Sequence, residues 1–154
     1  MAKPTVGKKV PAFSAASTGG SVSSKDLAGS PYVLYFYPKD DTSGCTAEAI
    51  AFSGLKTKFG AAGAAVIGVS PDSAASHDKF KTKHDLGVAL AADPARSTIE
   101  AYGVWKEKSM YGRKYFGVER STFLIDREGR IAKIWRKVKV PGHPEEVLAA
   151  AKAL

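Results

Sequence analysis

The residue types that could do chemistry converge on one short stretch. Cys45 is the single cysteine of the chain, and it follows Thr42, Ser43 and Gly44. Just before them Pro38 closes the apolar run YVLYFY at 32–37. Thr42 and Ser43 are favoured N-cap types, so a helix is expected to open around Ser43 to Cys45. Backbone N–H groups in a first helical turn have no intrahelical partner. The helix dipole adds about half a positive charge there. Both effects favour thiolate over thiol, and the thiolate is the nucleophile. Gly44, without a Cβ, lets a ligand approach the backbone closely. The competing reading of an isolated cysteine is a small buried hydrophobe. The polar, loop-forming residues before Cys45 speak against it.

One thiol excludes an intramolecular disulfide, a tetrathiolate zinc site and a Cys-x-x-Cys dithiol. His77, His84 and His143 are scattered and read as solvent-exposed, and no metal site is expected from them. No Gly-x-Ser-x-Gly elbow, phosphate-binding loop or Gly-x-Gly-x-x-Gly turn is present. Cys45 is therefore the residue on which catalysis would turn.

The elements that must position this thiol follow from patterning. Residues 1–30 read as irregular, with short extended pieces and a turn at Gly19-Gly20. The run 32–37 reads as a strand buried on both faces. A helix is expected from Ser43–Cys45 to about Phe59, with Ala49, Phe52, Leu55 and Phe59 as its buried stripe and Gly60 and Gly63 closing it. A second buried strand is expected at 64–69, a helix at 73–84, a short strand at 88–91 and a short helix at 96–102. Residues 104–118 read as a loop or hairpin, with Trp105, Met110 and Tyr111 as its core packing. Strands at 121–125 and 131–135 form a hairpin around Asp126 to Gly129, with Trp135 in the core. Pro144 opens a last helix that runs to the C-terminus. Strands alternating with helices, then a closing hairpin, give an α/β fold with a central mixed sheet flanked by helices. That is the pattern of a thioredoxin-like fold with an N-terminal extension and insertions, as one domain over 1–154.

Composition agrees with a globular chain: 154 residues, 44% hydrophobic and 25% charged. Lys and Arg number 23 against 15 Asp and Glu, a net +8. The basic residues are spread without a tract and no nucleic-acid motif accompanies them, so a solvated surface is expected rather than nucleic-acid binding. No segment approaches the roughly 18 apolar residues of a membrane helix. The N-terminal MAKPTVGKKVPAF lacks the apolar run of a signal peptide. A cytoplasmic, reducing location is expected, where a lone thiol persists.

The segment 35–48, YFYPKDDTSGCTAE, resembles the active-site segment of peroxiredoxins, with their Pro-x-x-x-Thr-x-x-Cys motif as Pro38, Thr42 and Cys45. Its flanks resemble the bacterioferritin comigratory protein (peroxiredoxin Q) subfamily. So do VIGVSPDSAASHDKF at 66–80, GVWKEKSMYGRKYFGVERSTFLID at 103–126 and IWRKV at 134–138. The resemblance covers nearly all of 4–154. It implies a thiol-dependent peroxidase that reduces hydrogen peroxide and organic hydroperoxides and uses no cofactor, neither metal, haem nor flavin. Cys45 would attack the O–O bond and become a sulfenic acid. Thr42 would hold a peroxide oxygen, and Pro38 would shield the thiolate from water. Arg120 would stabilise its charge, backed by the N–H groups of Gly44 and Cys45. Glu48 would orient Arg120, or simply complement the helix dipole. By the same resemblance, Trp105, Met110 and Tyr111 would shape the rim of the peroxide pocket, the alternative to hairpin core. This chemistry needs a thiolate, an aligned peroxide and donors for the leaving oxygen. The resemblance also implies a monomer.

Two departures from the subfamily matter. Where its members carry a second, resolving cysteine, this chain has Ile50 in the first helix and Lys81 in the next long one. The internal disulfide step is therefore closed. The sulfenic acid must be reduced by an external thiol such as thioredoxin, glutathione or glutaredoxin. Ser43 stands where the subfamily more often has Pro, a change expected to affect loop rigidity only. A peroxide-responsive redox sensor or interaction module on the same fold is the alternative function.

Overall fold

The apolar run at 32–37 is the centre of the molecule. In the computed structural model, which describes residues 4–154, it supplies an interior strand of a seven-stranded sheet. Met1–Lys3, the start of the basic N-terminal stretch, lie outside the described residues. A hairpin of β1 (Ser14–Ser17) and β2 (Gly20–Ser23) leads through α1 (Ser24–Leu27) into β3 (Tyr32–Phe36). Helices α2 (Ser43–Gly54) and α3 (Lys56–Ala61) follow, then β4 (Ala65–Ser70), α4 (Ala74–His84), β5 (Ala89–Ala92) and α5 (Ser97–Ala101). A separate hairpin of β6 (Trp105–Met110) and β7 (Arg113–Val118) comes next. The chain ends with β8 (Ser121–Ile125), β9 (Ile131–Trp135) and α6 (His143–Lys152).

The sheet order is β2-β1-β5-β4-β3-β8-β9. Strands β3, β4 and β5 run parallel, while β8 and β9 close the other edge antiparallel, so the sheet is mixed as expected. Successive side chains of a strand point to opposite faces. Val33, Tyr35 and Tyr37 accordingly join a core with Cys45, Ala49 and Phe52 from α2. Tyr32, Leu34 and Phe36 join the opposite core with Ile99, Tyr102 and Phe123. A strand with hydrophobic cover on both faces needs the unbroken apolar run that the sequence shows.

The long helix expected from Cys45 to Phe59 is two helices. α2 ends at Gly54, and Leu55, at φ −101° and ψ 4°, separates it from α3. Glycine weakens a helix interior. The preceding Ser53 hydroxyl accepts hydrogen bonds from Gly87 N (2.9 Å) and Val88 N (3.4 Å), which ties the helix end to the segment entering β5. Of the expected stripe, Ala49, Phe52 and Phe59 are buried and Leu55 is partly exposed. The final helix begins one residue before Pro144, after Gly142 at φ +79°, and stops at Lys152.

Three expectations about side chains fail. His77 and His143 are buried, not exposed; only His84 is partly solvent-facing. His77 shares the inward face of α4 with Phe80, where hydrogen bonds satisfy its ring. His143 lies under the rings of Phe52 and Trp135 and bonds to Thr122. Met110 and Tyr111, at the tip of the β6–β7 hairpin, are not hairpin core: Tyr111 is 98% exposed. Trp105 is half-buried with the Arg96 guanidinium 4.6 Å above its ring. Trp135 is also only partly buried, and its indole N–H donates to Glu146.

Candidate active site

The register of the central strands brings the site together. Phe36, the last residue of β3, pairs with Ser121, the first of β8. Arg120 therefore enters the sheet at the edge where the chain leaves β3 for Pro38 and the loop to α2. The Arg120 carbonyl is held there by Val138 N at 2.9 Å. Pro38 is half-buried and Thr42 exposed on this loop. Asp41, between them, adopts φ +59°, a left-handed conformation that Asp tolerates better than most residues.

Thr42 is the N-cap of α2 by backbone geometry and accepts Thr46 N at its carbonyl (2.8 Å), but its side chain does not cap the helix. Its hydroxyl donates instead to Lys39 O at 2.9 Å. With that proton engaged, the oxygen lone pairs remain free to accept a hydrogen bond. Gly44 and Cys45 fall in the first turn of α2, where N–H groups lack helical partners.

Cys45 is 1% exposed, and the Arg120 guanidinium closes over it. Arg120 Nη2 donates to Cys45 Sγ at 3.2 Å, and Nη1 donates to Glu48 Oε1 at 2.6 Å. Cys45 and Glu48 stand three residues apart, the spacing that places side chains on one helix face. A Cβ at Gly44 would sit 3.2 Å from Arg120 Nη2. The close approach that Gly44 permits is thus taken up by a guanidinium.

The electrostatics follow from burial. Glu48 is fully buried, and desolvation pushes its carboxyl up to about 7, against the pull of Arg120. Burial alone would lower the Arg120 pKa, but Glu48 and Cys45 together carry it above its usual value. Two neighbours went unread in the sequence. Tyr35 lies beneath the site, stacked between Tyr37 and Phe52 at 5.6 and 4.7 Å. Burial first, then Glu48 and Cys45, hold its phenol well above the ordinary range. Lys108, from β6, is close enough to feel Arg120 and Cys45, and partial burial pulls its ammonium below the usual range. Alternation in a two-stranded hairpin could have indicated which face Lys108 takes, but not which site that face meets.

A second polar cluster lies behind the loop. Asp40, Asp72 and His77 bring potential ligand atoms within 4.8 Å of one another. Those atoms already face protein partners: Tyr37 OH, Ser76 OH and His77 Nδ1 on Asp40, and Ser70 OH and Asp40 N on Asp72. Among the described residues no helix is long and apolar enough to cross a membrane.

A thiol at a helix start under an arginine, with a threonine oxygen at the loop edge, is equipped to receive and split a small electrophile that accepts two electrons. Known proteins agree. The AhpC/TSA family model matches residues 6–134. The chain is 48% identical over 148 residues to peroxiredoxin Bcp of Bacillus subtilis, covering 96% of this chain and 94% of that one. It is 46% identical over 144 residues to a Coxiella burnetii protein named a putative peroxiredoxin Bcp, covering 93% and 95%. A solved structure of the Xanthomonas campestris bacterioferritin comigratory protein, studied for alkyl peroxide reduction, superposes with a TM-score of 0.90. It has 43% identity and covers 97% of this chain and 98% of that one. The chain belongs to the AhpC/TSA family, among the thiol-dependent peroxidases of the peroxiredoxin Bcp group.

Proposed function

We propose that Cys45 is the peroxidatic nucleophile and that Thr42, Gly44, Arg120 and Pro38 form the peroxide site around it, with Glu48 supporting Arg120. The observation that carries this reading is the 3.2 Å contact of Arg120 Nη2 with Cys45 Sγ. A cation that stays charged at neutral pH favours the thiolate and offers further donors to the developing charge on the leaving oxygen. The Cys45 thiolate attacks one peroxide oxygen and the O–O bond breaks. The sulfur becomes sulfenic acid, and the other oxygen leaves with the electron pair and takes a proton, as water or an alcohol. Thr42, with its hydroxyl proton on Lys39 O, accepts the peroxide O–H and aligns it. Pro38 limits water at the sulfur. Hydrogen peroxide and small alkyl hydroperoxides are the substrates, in keeping with the alkyl peroxide reduction studied in the Xanthomonas relative.

Regeneration draws on a second molecule. An external thiol attacks the sulfenic sulfur, releasing water and leaving a mixed disulfide. A second thiol then frees Cys45 and carries off the disulfide. Ile50 is exposed, and the Lys81 ammonium donates to Val88 O at 2.8 Å, so the two positions that resemble resolving sites hold no sulfur. Thioredoxin, glutathione and glutaredoxin are the reductants to compare. The protein works as a monomeric single domain in the cytoplasm, where such thiols are kept reduced.

The test is peroxide consumption with each reductant system, using hydrogen peroxide and a small alkyl hydroperoxide. Turnover is expected with at least one system and none with Cys45→Ser. Full activity of Cys45→Ser would sink the assignment.

A further inference from the structure

The loop that carries Pro38 and Thr42 is fastened at its middle to α4. Asp40, 8% exposed, accepts three hydrogen bonds: Tyr37 OH on Oδ1 at 2.6 Å, and Ser76 OH and His77 Nδ1 on Oδ2, both at 2.7 Å. The Asp40 backbone N–H donates to Asp72 Oδ2 at 2.8 Å. The other ring nitrogen of His77, Nε2, faces the carbonyl oxygen of Ala91 at 3.0 Å. Burial would raise the Asp40 carboxyl, but hydrogen bonds from His77, Tyr37 and Ser76 hold it below its usual value. The His77 ring is fully buried, with one nitrogen aimed at β5 and the other at the loop.

An outer fastening accompanies it. Lys83 and His84 donate to Asp41 at 2.6 and 2.8 Å. Exposed ion pairs of this kind hold little, whereas breaking a buried one is costly. The inner pair therefore sets the loop.

We propose that His77 is a positioning residue of the peroxidase reaction: acting through Asp40, it fixes the span from Pro38 to Thr42 at the geometry that receives the peroxide. The proposal rests on the reading of Thr42 and Pro38 given above. His77 touches neither sulfur nor peroxide. It differs from Arg120 in serving the substrate side of the site and not the thiolate.

A double-mutant cycle tests it. Wild type, His77→Gln, Asp40→Ala and the double variant are compared by stopped-flow oxidation of Cys45 with hydrogen peroxide. Each single variant is expected to slow oxidation by about 10- to 100-fold, the scale of a misplaced binding group. The double variant is expected to be no slower than Asp40→Ala, since His77 acts only through Asp40. Thiolate absorbance, and the rate at which an external thiol reduces the preformed sulfenic acid, should stay within about twofold of wild type. Wild-type oxidation by His77→Gln, penalties that multiply in the double variant, or a parallel fall in thiolate and re-reduction would each overturn the proposal. A wild-type protein inert to peroxide would sink the peroxidase reading itself, a separate outcome. Nitrogen-15 NMR of the wild-type protein needs no variant to fold. It should show the His77 Nδ1 proton shifted far downfield by its short hydrogen bond to Asp40; the absence of that signal overturns the proposal.

Discussion

Arg120 Nη2 stands 3.2 Å from Cys45 Sγ, and the other end of the same guanidinium holds Glu48 Oε1 at 2.6 Å. One cation thus serves a thiol and a carboxylate on a single helix face. Arg120 is only 17% exposed and Glu48 is buried, so the charges interact more strongly than they would at the surface.

Arg120→Ala is expected to lower the thiolate fraction of Cys45 at neutral pH and to slow peroxide reduction by about 10²- to 10³-fold, the usual cost of removing a transition-state donor. Arg120→Lys restores a charge without the planar fork, so it should recover little of the rate. Ultraviolet thiolate absorbance and stopped-flow oxidation measure the two effects separately. Wild-type absorbance in Arg120→Ala would detach the guanidinium from the sulfur.

Glu48 makes stability depend on pH in a definite direction. Its folded-state pKa is raised from 4.5 to about 7, chiefly by desolvation. A carboxyl raised in this way binds its proton more tightly folded than unfolded. Its contribution is therefore fully present below pH 4.5 and is lost as pH rises through about 7. At about 1.36 kcal/mol per pKa unit, the loss approaches about 3 kcal/mol. Glu48→Gln removes the titration and keeps an acceptor for Arg120. The Tm difference, variant minus wild type, should grow between pH 5 and 8. A difference that stays flat across that range contradicts the assignment.

Gly44→Ala separates the site from the fold. The new Cβ would lie 3.2 Å from Arg120 Nη2, closer than most such contacts, so the guanidinium must shift. The backbone at Gly44 is helical, and Ala is the better helix former by up to about 1 kcal/mol. Unchanged or higher Tm together with several-fold slower oxidation is the expected pair of results. Wild-type oxidation would show that Arg120 tolerates the displacement.

Much of this arrangement could be read from the chain because it depends on local rules. The apolar run at 32–37, its stop at Pro38 and the helix opening after Thr42 are written in adjacent residues, and they place Cys45. Arg120 is legible only through resemblance, since its distance from Cys45 depends on the pairing of Phe36 with Ser121, a long-range register that no short window contains. The burial of His77 is hidden from the sequence for the same reason. Its neighbours Ser76, Asp78 and Lys79 are polar, and only the contacts with Asp40 and Ala91 explain its burial. The break at Leu55 depends on Ser53 reaching Gly87, again a partner distant in sequence.

Tyr35 gives the last prediction. Its ring is stacked on Phe52 at 4.7 Å, yet its hydroxyl is buried without a hydrogen-bond partner among the described residues. A Cβ on Gly68 would fall 2.7 Å from that oxygen, so the glycine makes room for the phenol. A buried hydroxyl that gives up water and gains no partner costs about 1–3 kcal/mol. Tyr35→Phe removes this cost and keeps the stacked ring, so it should raise the unfolding free energy by roughly 1 kcal/mol, read from the denaturant midpoint. Oxidation of Cys45 should be unchanged, because the hydroxyl bonds to neither Cys45 nor Glu48. A fall in stability would mean that the hydroxyl has a partner in solution. A slower oxidation at unchanged stability would instead place Tyr35 in the chemistry, beside the carboxylate and sulfur whose charges already weigh on it.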